Sequence, residues 1–395
     1  MNYQDTVKLL EQYCLPDDLS THDPYDIWSC SLGFGAKRFY NRHKYLALPV
    51  VGLFSIFDRF NSRHFFYKKR EYPIVRAMAA QVLLNLYRIT ADEKYLVRAK
   101  NDLEWLLNHR GESKSGAGWG TLVPRTVSKT AEYPASMSFS TITPYVLEAF
   151  WNYSKLLNTE EYQWIFPKFR EFFHSDLVPM LETETELAFS YGTVRDRIEF
   201  NSNCYILYCR ALLGHILNDH SADGQIFKIY NFVKNHQRED GSWFYSYSGK
   251  NSFIDCFHSC FNLKNLFKAN GILPLEGARE VIDRGWDYLK KALFDSKEFL
   301  FRRFSISNKP GIIKFDLYDN AEALNFAYMI GDDVFASQLR DSIEAHFVRN
   351  GVVFSRIDLS GTLICPDYLR WAVMPFMLSV SNGLLAKKAD NESNG

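Results

Sequence analysis

Apolar residues recur at helical spacing along most of the chain, in paired segments separated by short breakers. Residues 73–90 place Val75, Met78, Ala79, Val82, Leu83 and Leu86 on one such pattern. Ala91-Asp92-Glu93 interrupts it, and residues 94–108 resume it with Tyr95, Leu96, Ala99, Leu103, Leu106 and Leu107. The helix–turn–helix returns at intervals of about 50 to 65 residues. It predicts pairs at 141–157 with 160–175, 202–218 with 223–236, 254–269 with 276–293, and 319–330 with 333–347. A last helix is expected over 367–386 and a weak one over 2–14, whereas 31–70 is aromatic, basic and resists assignment.

Between the pairs lie aromatic, glycine-containing connectors, among them Gly116-Ala-Gly-Trp-Gly120, Phe189-Ser-Tyr-Gly192, Gly241-Ser-Trp243 and Phe301-Arg-Arg-Phe304. An open solenoid would show a tighter repeat and a stronger consensus. Irregular hairpins with long connectors favour closure instead. The expected fold is all-α, an (α/α)6 toroid forming one domain over 1–386, with 1–70 as the irregular part of the ring. The polar stretch 387–395 reads as a disordered tail.

Composition narrows the function classes. Lys+Arg and Asp+Glu both number 46, so the basic excess of a nucleic-acid binder is absent. The 32 Phe, 23 Tyr and 8 Trp fit either a core of large side chains or an aromatic-lined sugar cleft. Seven cysteines and an N-terminus without a basic and apolar leader suggest reduced thiols in a cytoplasmic protein. The longest apolar run, Leu46 to Phe57, is too short to span a bilayer, and peripheral association with a membrane polysaccharide-synthesis complex stays open.

Gln237-x-x-Asp240-Gly-Ser-Trp243 resembles the Gln-Trp repeat of terpenoid cyclases, and the hairpin series resembles the α/α-toroid superfamily. Asp23-Pro-Tyr-Asp26, Gly118-Trp-Gly120, Asn201-Ser-Asn203, and Asp240-Gly-Ser-Trp243 with Ile254-Asp-Cys-Phe-His258 resemble bacterial toroid proteins encoded with exopolysaccharide and capsule genes. That resemblance implies a sugar-active fold whose known members include uronate C5-epimerases, polysaccharide lyases and glycosidases. The terpenoid-cyclase chemistry does not carry over, because neither D-D-x-x-D nor D-x-D-D occurs. Phosphate loops, nucleophile elbows and H-E-x-x-H are absent too, so no cofactor is expected.

On a helix read from Ser252, residues Asp255, His258, Ser259 and Asn262 share a polar arc. Phe253, Cys256, Phe257, Cys260 and Leu263 share the opposite one. One helix cannot aim both arcs at one ion, so no metal site is expected there. Ser252-x-x-Asp255 and Asp319-x-x-Glu322 have capping-box spacing, and Asn201 and Asn203 suit either a cap or hydroxyl recognition. The catalytic candidates are His258, Asp255, Tyr205, Tyr245 and Glu322. Trp119, Tyr133, Asn201, Asn203, Trp243, Arg370, Tyr25 and Asp26 are candidates for binding substrate.

Three functions follow. Proton transfer on a uronic acid, as in a C5-epimerase or lyase, needs a base, an acid and positive charge on the carboxylate. A glycosidase needs two carboxyls flanking the bond, for which Asp255, Glu322 and Asp26 are available. The third is a non-catalytic subunit that binds glycan or partner proteins.

Overall fold

The computed structural model describes residues 1–61, 64–127, 132–249, 252–307 and 311–393. The chain opens with α1 (Tyr3–Cys14), a single turn α2 (Asp26–Ser29) and a hairpin of α3 (Ser31–Arg42) and α4 (Lys44–Phe60). Then come α5 (Pro73–Thr90), α6 (Glu93–Asn108), α7 (Thr143–Leu157), α8 (Phe166–Glu171), α9 (Phe200–Leu217) and α10 (Asp223–Asn235). The series ends with α11 (Cys256–Ile272), α12 (Ala278–Ala292), α13 (Leu317–Met329), α14 (Asp333–Phe347) and α15 (Met374–Ser393).

Helices α5, α7, α9, α11, α13 and α15 pack each on the next, and α15 returns to α5, so the ring closes. Their sequences explain the position. Every residue of α9 from Phe200 to Leu213 is buried, as expected of a helix enclosed on all sides. By contrast α12 buries one stripe, Val281, Ile282, Gly285, Trp286 and Leu289, and lies outside α11. Helices α6, α10 and α14 occupy the same outer layer, and α1 lies against α5 and α15. The fold is therefore the expected all-α toroid, with short two- to seven-residue strands confined to the connectors.

Where the apolar pattern is strong, the elements match it. Pro73 at the first helical position starts α5, and Ala91 in a left-handed conformation stops it. Residues 31–60, which resist assignment from the sequence, are helical. The last helix also runs further than its pattern suggests, through residues 387–393 of the stretch read as a disordered tail; residues 394–395 lie outside those described. Lys388 donates from Nζ to the carbonyls of Arg88 (2.9 Å) and Ile89 (3.3 Å), capping the end of α5.

The stretch 237–243 is a structural joint. Gln237 donates from Nε2 to the carbonyls of Gly241 (2.8 Å) and Val281 (2.9 Å), stitching the end of α10 to α12. Asp240 accepts from the Ser242 amide at 3.1 Å, and the Trp243 indole N–H donates to the Val233 carbonyl at 2.9 Å. Gly241 has φ +91°, and a Cβ there would lie 2.3 Å from the Arg284 carbonyl oxygen, so only glycine fits. Trp119 plays the equivalent part after α6, fully buried, its indole N–H on the Leu106 carbonyl at 2.8 Å.

Candidate active site

The N-terminal ends of all six inner helices converge on one cavity of about 590 Å³. Its wall takes Ile74 from α5, Tyr145 from α7, Asn201 from α9, His258 from α11 and Tyr318 from α13, with Arg370 just ahead of α15. Helix N-termini carry partial positive charge, so this end of the toroid favours anions before any side chain is counted.

Short strand pairings set the key side chains. Ile254–Asp255 pairs with Phe304–Ile306, which ends the extended segment at Asp255 and starts α11 at Cys256. Asp255, not Ser252, is thus the N-cap, accepting from the His258 amide at 3.2 Å; Ser252 instead accepts from the Ser246 amide. Both Asp255 oxygens also lie within 2.9 Å of His258 Nδ1. A carboxylate accepting from Nδ1–H leaves the lone pair on Nε2, for which no protein partner exists among the described residues. The imidazole is held in an aromatic frame, with the Tyr245 ring centroid at 4.4 Å and that of Phe257 at 3.9 Å. Phe253 and Phe257, assigned by helical phase to the apolar side, line the cavity because Phe253 precedes the helix and Phe257 sits at its first turn.

Tyr245 faces the same cavity. Burial, reinforced by the charge of Glu199, pushes its hydroxyl well above the ordinary phenol range, so it remains a proton donor. Among the described residues five arginines line the cavity, Arg125, Arg197, Arg303, Arg356 and Arg370, against a single carboxylate, Asp255. Four of the five have internal anions. Arg197 pairs with Glu199, and Arg370 with Asp23. Asp316, the N-cap of α13, accepts from Arg303 (2.8 Å), Arg356 (3.0 Å) and the Trp371 indole (3.0 Å). The Arg125 side chain has neither a hydrogen bond nor an ion pair among the described residues, and Arg370 keeps a buried Nη2 without a hydrogen bond. The cavity is therefore a net cationic, aromatic-walled pocket with one uncommitted guanidinium.

Of the residues singled out from the sequence, His258, Asp255, Tyr245, Tyr133, Asn201, Tyr25 and Arg370 meet at this cavity. Asn201 leaves Oδ1 without a partner. The others do not line it. Tyr205 is buried beneath, its hydroxyl 2.8 Å from that of Tyr145, and Glu322 forms a buried ion pair with Lys264 at 2.7 Å. Glu322 is no capping-box partner either, since the α13 cap is Asp316. Asn203 binds the Phe189 amide and carbonyl, while Glu199 occupies the N-cap position of α9 without a side-chain capping bond. Trp119 and Trp243 are consumed by packing, although Trp243 adjoins a water-sized hollow behind His258. The three carboxyls offered for paired-acid chemistry, Asp255, Glu322 and Asp26, therefore do not share one cavity wall. Arg125, Arg197, Arg303 and Arg356 escaped the sequence reading. Their signal was an arginine beside aromatic connectors, as in Phe301-Arg-Arg-Phe304.

Asp26 is turned inward, accepting from the Asp23 amide at 3.0 Å and lying 3.1 Å from His22 Nδ1. Burial first, then the Asp23 charge, push its carboxyl up to about 7. A native pKa above the unfolded one means the folded state holds the extra proton between about pH 4 and 7, so stability falls as pH rises through that window. Asp26→Asn is expected to flatten this decline and to exceed the wild type by ~2 kcal/mol at pH 8, after discounting for partial screening. Urea unfolding at pH 5 and pH 8 measures both.

No family model and no curated protein matches this chain. Solved structures do share its fold. A sugar epimerase from a ruminal bacterium aligns with TM-score 0.62 at 13% identity, over 80% of this chain and 88% of its own. A GH76 α-mannanase of Bacteroides thetaiotaomicron aligns with TM-score 0.63 at 10% identity, over 98% and 96%. A polysaccharide lyase aligns with TM-score 0.54 at 12% identity, over 82% and 92%. These proteins are named for different reactions on sugars, so the likeness establishes the α/α-toroid fold and leaves the chemistry to the site.

Proposed function

We propose that this protein is a cofactor-independent enzyme acting on a uronic-acid saccharide, and that it removes the proton α to the carboxylate. The observation that carries the reading is the His258–Asp255 pair in the wall of a cationic cavity that also holds an unpaired arginine. His258 Nε2 takes the C5 proton, and the electron pair passes into the carboxylate as an enolate. Arg125 holds that carboxylate and stabilises its developing charge, with the positive charge of Arg370 in the same wall adding to the field. Tyr245 returns a proton. Delivered to C5 from the opposite face, it gives the epimer; delivered to a leaving oxygen on C4, it gives the unsaturated product of a lyase.

The glycosidase alternative has less support, since among the described residues only one carboxylate lines the cavity and it is committed to His258. A purely binding role leaves that imidazole arrangement without a use. The resemblance of the short motifs to toroid proteins encoded with capsule genes supports a bacterial surface polysaccharide, or its precursor, as the substrate.

Arg125 supplies the test. With uronate polysaccharides as substrates, Arg125→Gln is expected to raise KM by ~10-fold or more, because a charged hydrogen bond to the substrate is lost. Carboxyl-reduced versions of the same polymers should not turn over. Equal rates on reduced and native polymers would reject the carboxylate role.

A further inference from the structure

The neutral net charge of the chain hides a strong division. Residues 31–70 contain nine Lys and Arg against one acid, Asp58, while the other 355 residues contain 37 basic and 45 acidic side chains. This basic segment includes the α3–α4 hairpin. Helix α4 is also unusual, because an apolar stripe points to solvent. Leu46 (75% exposed), Leu53 (67%), Ile56 (59%) and Phe57 recur at helical spacing along one face, and Pro49 and Gly52 on that face are exposed too. Leu32 and Phe39 of α3, with Phe65 and Phe66 (77%) beyond α4, add exposed apolar side chains to the same segment. Arg38, Arg42, Lys68 and Lys69 of the same segment are exposed too.

We infer that the α3–α4 hairpin docks this protein on an anionic lipid surface, lying in the interface rather than crossing it. A contiguous apolar stripe flanked by cations is the composition that inserts among acyl chains while its charges meet lipid phosphates. At 17 residues α4 is about 25 Å long, short of a bilayer core, and no helix among the described residues is long and apolar enough to span one. A second copy of the chain is a poor occupant, because two faces each carrying this excess of positive charge repel.

Docking would bring the cavity rim to the membrane. Asn41 of α3 donates to the Thr126 hydroxyl at 2.9 Å, and Arg38 pairs with Glu132 at 2.7 Å. These two contacts hold the hairpin to the strand pair Arg125–Thr126 and Glu132–Tyr133, of which Arg125 and Tyr133 line the cavity. The inference does not depend on which sugar chemistry the cavity performs.

Vesicle flotation with the full chain tests it. Phosphatidylcholine vesicles containing about 30% phosphatidylglycerol should carry the protein, and pure phosphatidylcholine vesicles should carry at least about tenfold less. Binding should fall with added salt, and Leu53→Ser with Ile56→Ser should reduce it by a further tenfold or more. Because these side chains are exposed, the variant's thermal melt should be unchanged; Lys68→Glu with Lys69→Glu, which leaves the apolar stripe intact, should separately lower the preference for phosphatidylglycerol. No flotation with either lipid, equal flotation with both, or undiminished binding by both variants would overturn the proposal. So would a dimer in solution that the Leu53 and Ile56 substitutions dissolve, or stable capture of a protein partner by this face in the absence of lipid.

Discussion

His258→Asn is expected to lower turnover by about 10²–10⁴-fold, the range set by loss of a positioned general base. The effect should appear in kcat, with KM changing little, because the carboxylate contact assigned to Arg125 is untouched. Stability should change little as well: the imidazole is partly exposed to the cavity, and the capping bond to Asp255 comes from the residue 258 backbone amide. Asp255→Asn separates positioning from proton transfer. It keeps a capping oxygen but weakens the hold on Nδ1, so activity should fall less than in His258→Asn. The loss in Asp255→Asn should appear in kcat, because the imidazole is held less firmly for the proton it takes. A purely structural role for Asp255 would leave kcat in place.

Lys264→Met should be the most destabilising single change near the site. Lys264 donates to Glu322 at 2.7 Å and to the Tyr145 hydroxyl at 3.1 Å, with both charged side chains almost wholly buried. Burial works against the ammonium, but Glu322 outweighs it and holds its pKa above the ordinary lysine value. Removing the lysine strands the Glu322 carboxylate without a counter-charge, a loss of about 3–5 kcal/mol in comparable buried pairs. Combining it with Glu322→Leu should recover most of that loss, since an apolar pair of similar volume has no charge to desolvate. Denaturant unfolding of the single and double variants checks both statements. Failure of the double variant to recover would mean that the Tyr145–Tyr205 hydroxyl pair above the ion pair depends on it.

Local pattern revealed the elements wherever burial is local. Residues 73–90 emerge as a helix because their apolar side chains, a proline start and a left-handed stop all agree. It failed at α3 and α4, whose apolar residues face outward and so carry no core-directed phase. Capping spacing misled twice for one reason. The true caps, Asp255 and Asp316, each end an extended segment held by a strand pairing distant in sequence, Phe304–Ile306 for the first and Val352–Asp358 for the second. His258, Asp255 and Tyr245 were legible because one short stretch carries all three. The arginines were not, since Arg125, Arg197, Arg303 and Arg356 come from separate connectors and meet only when the ring closes. Trp119 and Trp243 show the converse limit: a connector tryptophan looks like a sugar platform until its indole N–H is found bonded to a helix carbonyl.

The central claim is abstraction of the proton α to a carboxylate, and solvent exchange reads that step without knowledge of the product. Uronate polysaccharides incubated with the protein in D₂O should gain deuterium at C5, or yield an unsaturated uronate, and the His258→Asn variant should do neither. If the wild-type protein cleaves saccharides with no label at C5 and no unsaturated end, or if His258→Asn exchanges at the wild-type rate, the account is wrong.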